Sequence, residues 1–349
     1  MITLITSISG TYFSSSLPDI SFSIGKAVAR VVMTLGGETV FSENLYPVGG
    51  KVVMHDLGSF VTLLLRQQLV ADLVVSICES NDGESWGTTT TMSAKVVYCT
   101  CDLGDMAADT FAEEHYLTLL MGEKLTAHGR LEFLHYIGTE EALVHVEYED
   151  GTAADIAATK IQGNANYTTI DVSPSRFEKD GTTFHEYTVT AGKRTMLFTI
   201  DPTQPDCAPV LIFRNSFGMD ELAYCTGKHA VSPSFKRDAA YIAGKYRNYK
   251  VEETRTFKAN TGFIPQGMVQ WWDDVVRSDY IRVVRFVGGE PKVGREVTVT
   301  ESKSDNDNMD DTMPSYTFSY RYAQRNHNVL DLDRTVGRIF DNTFDFTFN

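Results

Sequence analysis

The sequence predicts a mainly β protein: tandem β-sandwich-like domains with a few short helices. Three observations carry this reading. Short runs alternate polar and apolar residues at period two, the pattern of a half-buried strand. Gly, Asn and Asp recur between these runs as turn residues, for example at Gly122, Gly138, Asp150-Gly151, Asp180-Gly181 and Gly192. Helical spacing is clear in only two places.

Residues 1–103 read as a first β-rich domain. Ile20–Ile24 alternates, and Val28–Leu35 and Glu38–Ser42 flank Gly36-Gly37. That pair is a two-residue hairpin signal, because both central residues of a type I′ turn need positive φ. Asp56 precedes Leu57, Phe60, Val61, Leu64 and Leu65, which places a short helix with a carboxylate at its N-cap. Asp72–Glu79 and Thr88–Thr100 follow as strands around the polar loop 81–87.

Residues 104–200 read as a second β-rich domain. Asp109–His115 forms a turn or two of helix. Tyr116–Met121, His128–Ile137, Ala142–Glu149, Tyr167–Val172, His185–Thr190 and Thr195–Ile200 have strand character. Short strands so punctuated point to a sandwich or barrel rather than βαβ units.

Residues 201–349 form the third, C-terminal domain, entered through Asp201-Pro202 and Gln204-Pro205, where the chain is biased to be extended. Pro209–Arg214 and Leu222–Thr226 are strands. Lys245–Lys258 alternates, with Tyr249, Val251 and Phe257 on one face. Asn260-Thr261-Gly262 ends it, and Pro265 suits a first helical turn. Met268, Trp271, Trp272, Val275 and Val276 then recur at helical spacing, with Gln266, Gln270, Asp273 and Asp274 expected to face away. This helix, 265–277, is the strongest helical signal in the chain. Tyr280–Val287 and Arg295–Thr300 pair across Gly288-Gly289. Tyr316, Phe318, Tyr320 and Tyr322 line one side of a further strand. Residues 326–349 read as a C-terminal arm ending in TFDFTF, whose Phe344, Phe346 and Phe348 share one side and form a candidate oligomer interface.

Composition narrows the function. With 31 Lys+Arg against 46 Asp+Glu the net charge is −15. Phosphate backbones repel such a chain, so no nucleic-acid binding is expected. No run approaches the ~18 apolar residues of a membrane span. The first basic residue is Lys26, so no secretory leader is expected. Five Cys, an odd number, then point to reduced thiols, and Cys99 and Cys101 read as small core residues. Without export, the acceptor pattern Asn166-Tyr167-Thr168 carries no meaning.

No catalytic motif stands out. Gly244-Lys245 lacks the rest of a P-loop, and there is no Gly-x-Ser-x-Gly or His-Glu-x-x-His. His135 and His145 lie on strands and read as packed residues rather than zinc ligands. The loop 305–311 is rich in Asp and Asn, yet Asp310 and Tyr316 stand where an EF-hand needs Gly and Glu. No metal and no cofactor are expected. Trp86, in the polar loop ESNDGESWG, is the candidate for an exposed ligand contact.

Three segments carry a resemblance: FRNSFG (213–218), GKYRNYKVEETRTFKANTG (244–262) followed by the amphipathic helix, and TFSYRYAQRN (317–326). Together they resemble structural proteins of the tail module of tailed phages and prophages of gut Bacteroidales, most specifically over 209–326. The resemblance implies a virion protein made in the host bacterial cytoplasm, analogous to distal tail or baseplate hub proteins. It further implies a non-enzymatic subunit of a symmetric ring, contacting copies of itself and other tail proteins. The alternative is a carbohydrate-binding adhesin or receptor-binding module that uses Trp86 on a host-surface glycan. These signatures are structural, so the resemblance supplies no catalytic residues.

Overall fold

The computed structural model describes residues 1–104, 106–163, 166–202, 208–287, 290–304 and 313–323. The arm 326–349 with Phe344, Phe346 and Phe348, the acidic loop 305–311, Cys207 and Gln204-Pro205 lie outside the described residues. The protein is mainly β, with several sandwich-like sheets.

The strands of the first unit are β1 (Thr3–Thr6), β2 (Thr11–Phe13), β3 (Ile20–Ser23), β4 (Val28–Leu35), β5 (Glu38–Leu45), β6 (Lys51–Met54), β7 (Val70–Ser80) and β8 (Thr90–Val97). They form a three-stranded sheet, β1-β3-β6, and a five-stranded sheet, β2-β8-β7-β4-β5. Inward residues of both sheets, among them Phe22, Val31, Met33, Val75 and Ile77, share one core. The turn at Gly36-Gly37 has φ of 57° and 92°, as the hairpin reading requires. Helix α1 (Leu57–Gln68) buries Leu57, Val61 and Leu65 against this core. The expected N-cap is corrected. Asp56 sits at φ 53° and its side chain makes no capping hydrogen bond, because a left-handed backbone aims the carboxylate away from the first turn.

Helix α2 (Ala108–Glu114) opens the second unit. Its strands are β9 (Glu123–Thr126), β10 (Phe133–Tyr136), β11 (Ala142–Glu147), β12 (Ala153–Ala157), β13 (Thr159–Gly163), β14 (Thr168–Asp171), β15 (Glu186–Ala191) and β16 (Arg194–Ile200). They make a five-stranded sheet, β12-β11-β15-β16-β9, and a three-stranded sheet, β10-β14-β13. Tyr116–Met121 is not a strand. It is an irregular, mostly buried segment whose Leu117 N–H reaches His135 O and whose Tyr116 and Leu120 fill the core. Tyr116, Leu117 and Leu120 are buried, but the local backbone pairs with no ladder.

The third unit is a seven-stranded sheet, β18-β17-β21-β22-β23-β20-β19. Its strands are β17 (Val210–Arg214), β18 (Asp220–Tyr224), β19 (Ala230–Ile242), β20 (Lys245–Asn260), β21 (Ile281–Val287), β22 (Glu290–Ser304) and β23 (Tyr316–Tyr322). A 3₁₀ turn at Gln266–Met268 leads into α3 (Val269–Arg277). Met268, Trp271, Trp272 and Val275 are buried as the spacing predicts, but Asp274 is buried too and does not face solvent. Ser216 explains this: its N–H and hydroxyl donate to the two Asp274 oxygens at 2.9 and 2.7 Å. A carboxylate so satisfied can leave water.

The three units are cemented together. One core runs from Val144, Val146, Tyr187 and Phe198 of the second unit to Phe257, Trp271, Trp272 and Phe318 of the third. A second cluster takes one phenylalanine from each unit: Phe13, Phe111 and Phe217, with ring centroids 5.0–6.2 Å apart. Asn166, the supposed acceptor, spends its amide on Val70 O at 3.0 Å. Among the described residues no helix is long and apolar enough to cross a membrane.

Candidate functional site

Two regions concentrate charge, and they differ in how that charge is satisfied. The first is the junction of the second and third units, which buries Lys124, Glu132 and Glu221. Lys124 Nζ donates to Glu132 Oε2 at 2.6 Å and to Leu222 O at 3.2 Å, and lies 4.7 Å over the Trp271 ring. Thr126 donates to the other Glu132 oxygen at 2.7 Å. Glu221 accepts from Trp271 Nε1 at 2.8 Å, from Thr118 at 3.2 Å and from the Asn215 amide. Burial pushes the Glu221 carboxyl above its ordinary range, against Lys124 and the hydrogen bonds that pull it down. His135 sits beside them, bonded to Thr169 Oγ1 at 2.9 Å and to Asp220 O at 3.2 Å. Burial lowers its pKa to about 4. Each acid and base here is held by groups of the same chain, so the network is an internal fastener. A nearby cleft of about 300 Å³ is lined by Tyr98, Cys101, Arg214, Ser216, Asp274 and Arg277. Its acids are also engaged: Asp274 pins Ser216, and both Asp279 oxygens accept from the one nitrogen Arg66 Nη2, at 3.0 and 2.8 Å.

The second region is the outer half of the hairpin β19–β20. The two strands pair along their whole length, from Ala230↔Lys258 to Ile242↔Lys245, with a bulge at Tyr249. Ala243 and Gly244 close it with φ of 52° and 76°, the two-residue turn that fits a twisted hairpin. Only the inner end joins the body. β20 pairs with β23 from Phe257 to Asn260, and Phe257 and Ala259 are buried there. Among the described residues, the rest of β20 pairs on one edge alone. The expected apolar face of β20 is therefore corrected in part: Phe257 is core, whereas Tyr249 and Val251 are exposed. Tyr249 and Val251 stand beyond the stretch Phe257–Asn260 where β23 pairs with β20.

The register assigns the side chains of this ribbon to two faces. Phe235, Arg237, Ala239 and Tyr241 stand opposite Glu253, Val251, Asn248 and Tyr246 on one. On the other, Lys236, Asp238, Ala240 and Ile242 stand opposite Glu252, Lys250, Arg247 and Lys245. Tyr241 and Tyr246 meet edge to face at 5.2 Å near the tip, and are 66 % and 79 % exposed. Between residues 230 and 260 there are seven Lys or Arg and three Asp or Glu, inside a chain of net charge −15. Lys250 and Arg255 pair with Glu252 and Glu253. Lys236, Lys245 and Arg247 form no ion pair among the described residues. An isolated two-stranded ribbon is marginal in water, and an exposed strand edge invites pairing. A surface of this kind is stabilised by what docks on it.

The other sequence candidates stay apart. Trp86 is half-buried in a loop whose turn is fixed by Asp82, which accepts from the Glu84 and Ser85 N–H groups at 3.0 and 2.9 Å. Those bonds hold the Asp82 carboxyl well below the carboxylate range. His135 and His145 are on different sheets. His145 is exposed, with Nδ1 2.7 Å from Asp155, and that bond raises its pKa. Cys99 is buried and Cys101 half-buried, both free thiols with their sulfurs 3.4 Å apart in a thiol–thiol hydrogen bond. Among the described residues no three His, Cys, Asp or Glu groups gather as metal ligands would. The ribbon was only half visible in sequence: β20 was predicted, and β19 was missed. Ser232-Pro233-Ser234 interrupts its alternation, and Pro233 is tolerated because β19 is the sheet edge.

No family model matches the chain, and no curated protein matches it. Among solved structures, the fibronectin(III)-like modules of Clostridium thermocellum CbhA show 15 % identity, covering 28 % of this chain and 94 % of that one. The TM-score is 0.18, too low to bear on fold or function.

Proposed function

We propose that this chain is a non-enzymatic structural subunit of a bacteriophage tail, near the distal end or baseplate, that assembles with copies of itself into a symmetric ring. The observation that carries the assembly role is the projecting ribbon, with exposed aromatic residues and three cations that form no ion pair among the described residues, on a fused, otherwise acidic body. Ordering such a ribbon costs conformational entropy that its own contacts return poorly. A partner that covers it returns more. The fused body suits a rigid part, because Phe13, Phe111 and Phe217 tie the three units into one cluster.

The placement in a phage tail rests on the resemblance, and the fold gives the resembling segments distinct jobs. FRNSFG ends β17 and forms the turn through Asn215 and Phe217 at the junction. GKYRNYKVEETRTFKANTG is the ribbon turn and its second strand. The adhesin alternative draws less support, since Trp86 is half-buried and no second aromatic ring packs beside it among the described residues.

Negative-stain electron microscopy of the purified chain tests the assembly role, and gold labelling of phage particles tests the placement. Rings of uniform diameter and label at one tail position are expected. Label on no particle refutes the virion placement, and a strictly monomeric chain at high concentration refutes assembly.

A further inference from the structure

The ribbon's exposed cations, without an ion pair among the described residues, are complementary to a carboxylate surface, and the molecule carries one on a different unit. The five-stranded sheet β12-β11-β15-β16-β9 turns Val144, Val146, Tyr187, Val189 and Phe198 into the core. Its opposite face is set by register. Leu143, His145 and Glu147 on β11 stand beside Ala157, Asp155 and Ala153 on β12. On the other side, Thr190 and Thr188 lie next to Leu143 and His145, and Glu186 follows on β15. Thr195, Leu197 and Thr199 on β16 continue it, and Glu123 and Leu125 of β9 stand beside Leu197 and Thr199. No Lys or Arg occupies these positions. Glu147, Asp155 and Glu186 are exposed, with His145 between the first two at 3.6 Å from Glu147 and 2.7 Å from Asp155, and Glu141 and Glu149 lie just beyond the two ends of β11. β12 is also the sheet's edge strand, so its outer backbone edge is open among the described residues.

We infer that the basic face of the ribbon, presenting Lys236, Lys245 and Arg247, lies on this acidic face of a second copy, against Glu147, Asp155 and Glu186. The inference rests on the assembly reading above and names its partner surface. Charge complementarity is the argument. A ribbon with a basic excess meets a face bearing carboxylates and no Lys or Arg, and opposite patches both steer docking and fix its register. The two surfaces are different parts of the chain, so the contact is heterologous. Repeated around an axis, a heterologous contact closes into a ring or runs on as a filament.

Two variants and their mixture test it. The first carries Lys236→Glu, Lys245→Glu and Arg247→Glu, and the second carries Glu147→Lys, Asp155→Lys and Glu186→Lys. All six positions are exposed, and equal melting temperatures establish that both variants are folded. Each alone presents like charges at the contact, and sedimentation velocity is expected to show at least ~tenfold weaker self-association than the unaltered chain. Mixed one to one, each variant's ribbon meets an opposite charge on the other, and assembly is expected to return with the two alternating. If the ribbon variant assembles as the unaltered chain does, both the assembly reading and this inference fall. If it fails to assemble but the acidic-face variant assembles normally, or the mixture does not recover, the ribbon still docks and the partner surface named here is wrong.

Discussion

The junction and the ribbon are built from the same residue types and treat them in opposite ways. At the junction, Lys124, Glu132 and Glu221 are each less than 5 % exposed and are bonded by their own chain. On the ribbon, Lys236, Lys245 and Arg247 stand in solvent without an ion pair among the described residues. Aromatic residues divide likewise: Trp271 packs at 5.5 Å on Phe213, whereas Tyr246 touches only the tip of its own hairpin through Tyr241. A buried charge costs several kcal/mol unless it is paired, so the junction's charges have to be satisfied internally. Exposed charge carries no such demand and is available to a partner. The difference separates charge that holds this protein together from charge left on its surface.

The contrast is sharpest at the Trp helix. Trp271→Ala removes a fully buried indole and leaves Glu221 without its 2.8 Å donor. We expect a loss of about 3–5 kcal/mol in urea unfolding, while Gln270→Ala, on the exposed side of α3, stays within about 0.5 kcal/mol. Similar small losses for both would break the assignment of this helix to the core. Almost as large is the expected effect of Lys124→Met, which strands the Glu132 carboxylate and should cost about 3–5 kcal/mol. Adding Glu132→Met should recover most of it. Additive losses in the double variant would show that the pair is not the fastener described.

Protonation probes the junction more gently. His135 is held neutral down to about pH 4, while the unfolded chain protonates near 6.5. The unfolded state therefore binds the extra proton first, and stability falls as pH drops through this window, by at most about 3 kcal/mol. Glu221, raised by burial, works in the opposite sense: the folded state keeps its proton longer, so stability falls as pH rises above 4.5. The difference between the parent and His135→Gln isolates the histidine. A flatter acid limb is expected for the variant, and identical limbs would contradict the buried, neutral imidazole. Smallest of all is the effect of Tyr246→Ser on stability, expected within about 0.5 kcal/mol because the ring covers nothing in the core. A loss above 1 kcal/mol would mean the ribbon belongs to the fold after all.

The sequence revealed these regions unequally. The α3 helix was legible because Met268, Trp271, Trp272 and Val275 repeat at its own period. The wall of Tyr316, Phe318 and Tyr320 was legible at period two, and all three are buried. The junction was not. Lys124 and Glu132 are charged residues in polar surroundings of the sequence, and their partners Leu222 and Ser173 lie 98 and 41 residues away. Asp274 misled for the same reason, since only Ser216, 58 residues earlier, explains its burial. On the ribbon, Val251 shares a face with Phe257 although Glu253 and Arg255 stand between them, and local pattern does not register where cover by the same chain ends.

Sedimentation velocity on a chain with the outer ribbon removed tests the central claim most directly. Residues 236–252 are replaced by Asn-Gly, which closes the shortened hairpin between the cross-strand partners Phe235 and Glu253. The expected result is a folded monomer with the parent's melting temperature, under conditions where the parent forms closed oligomers. A shortened chain that assembles as well as the parent would contradict the account.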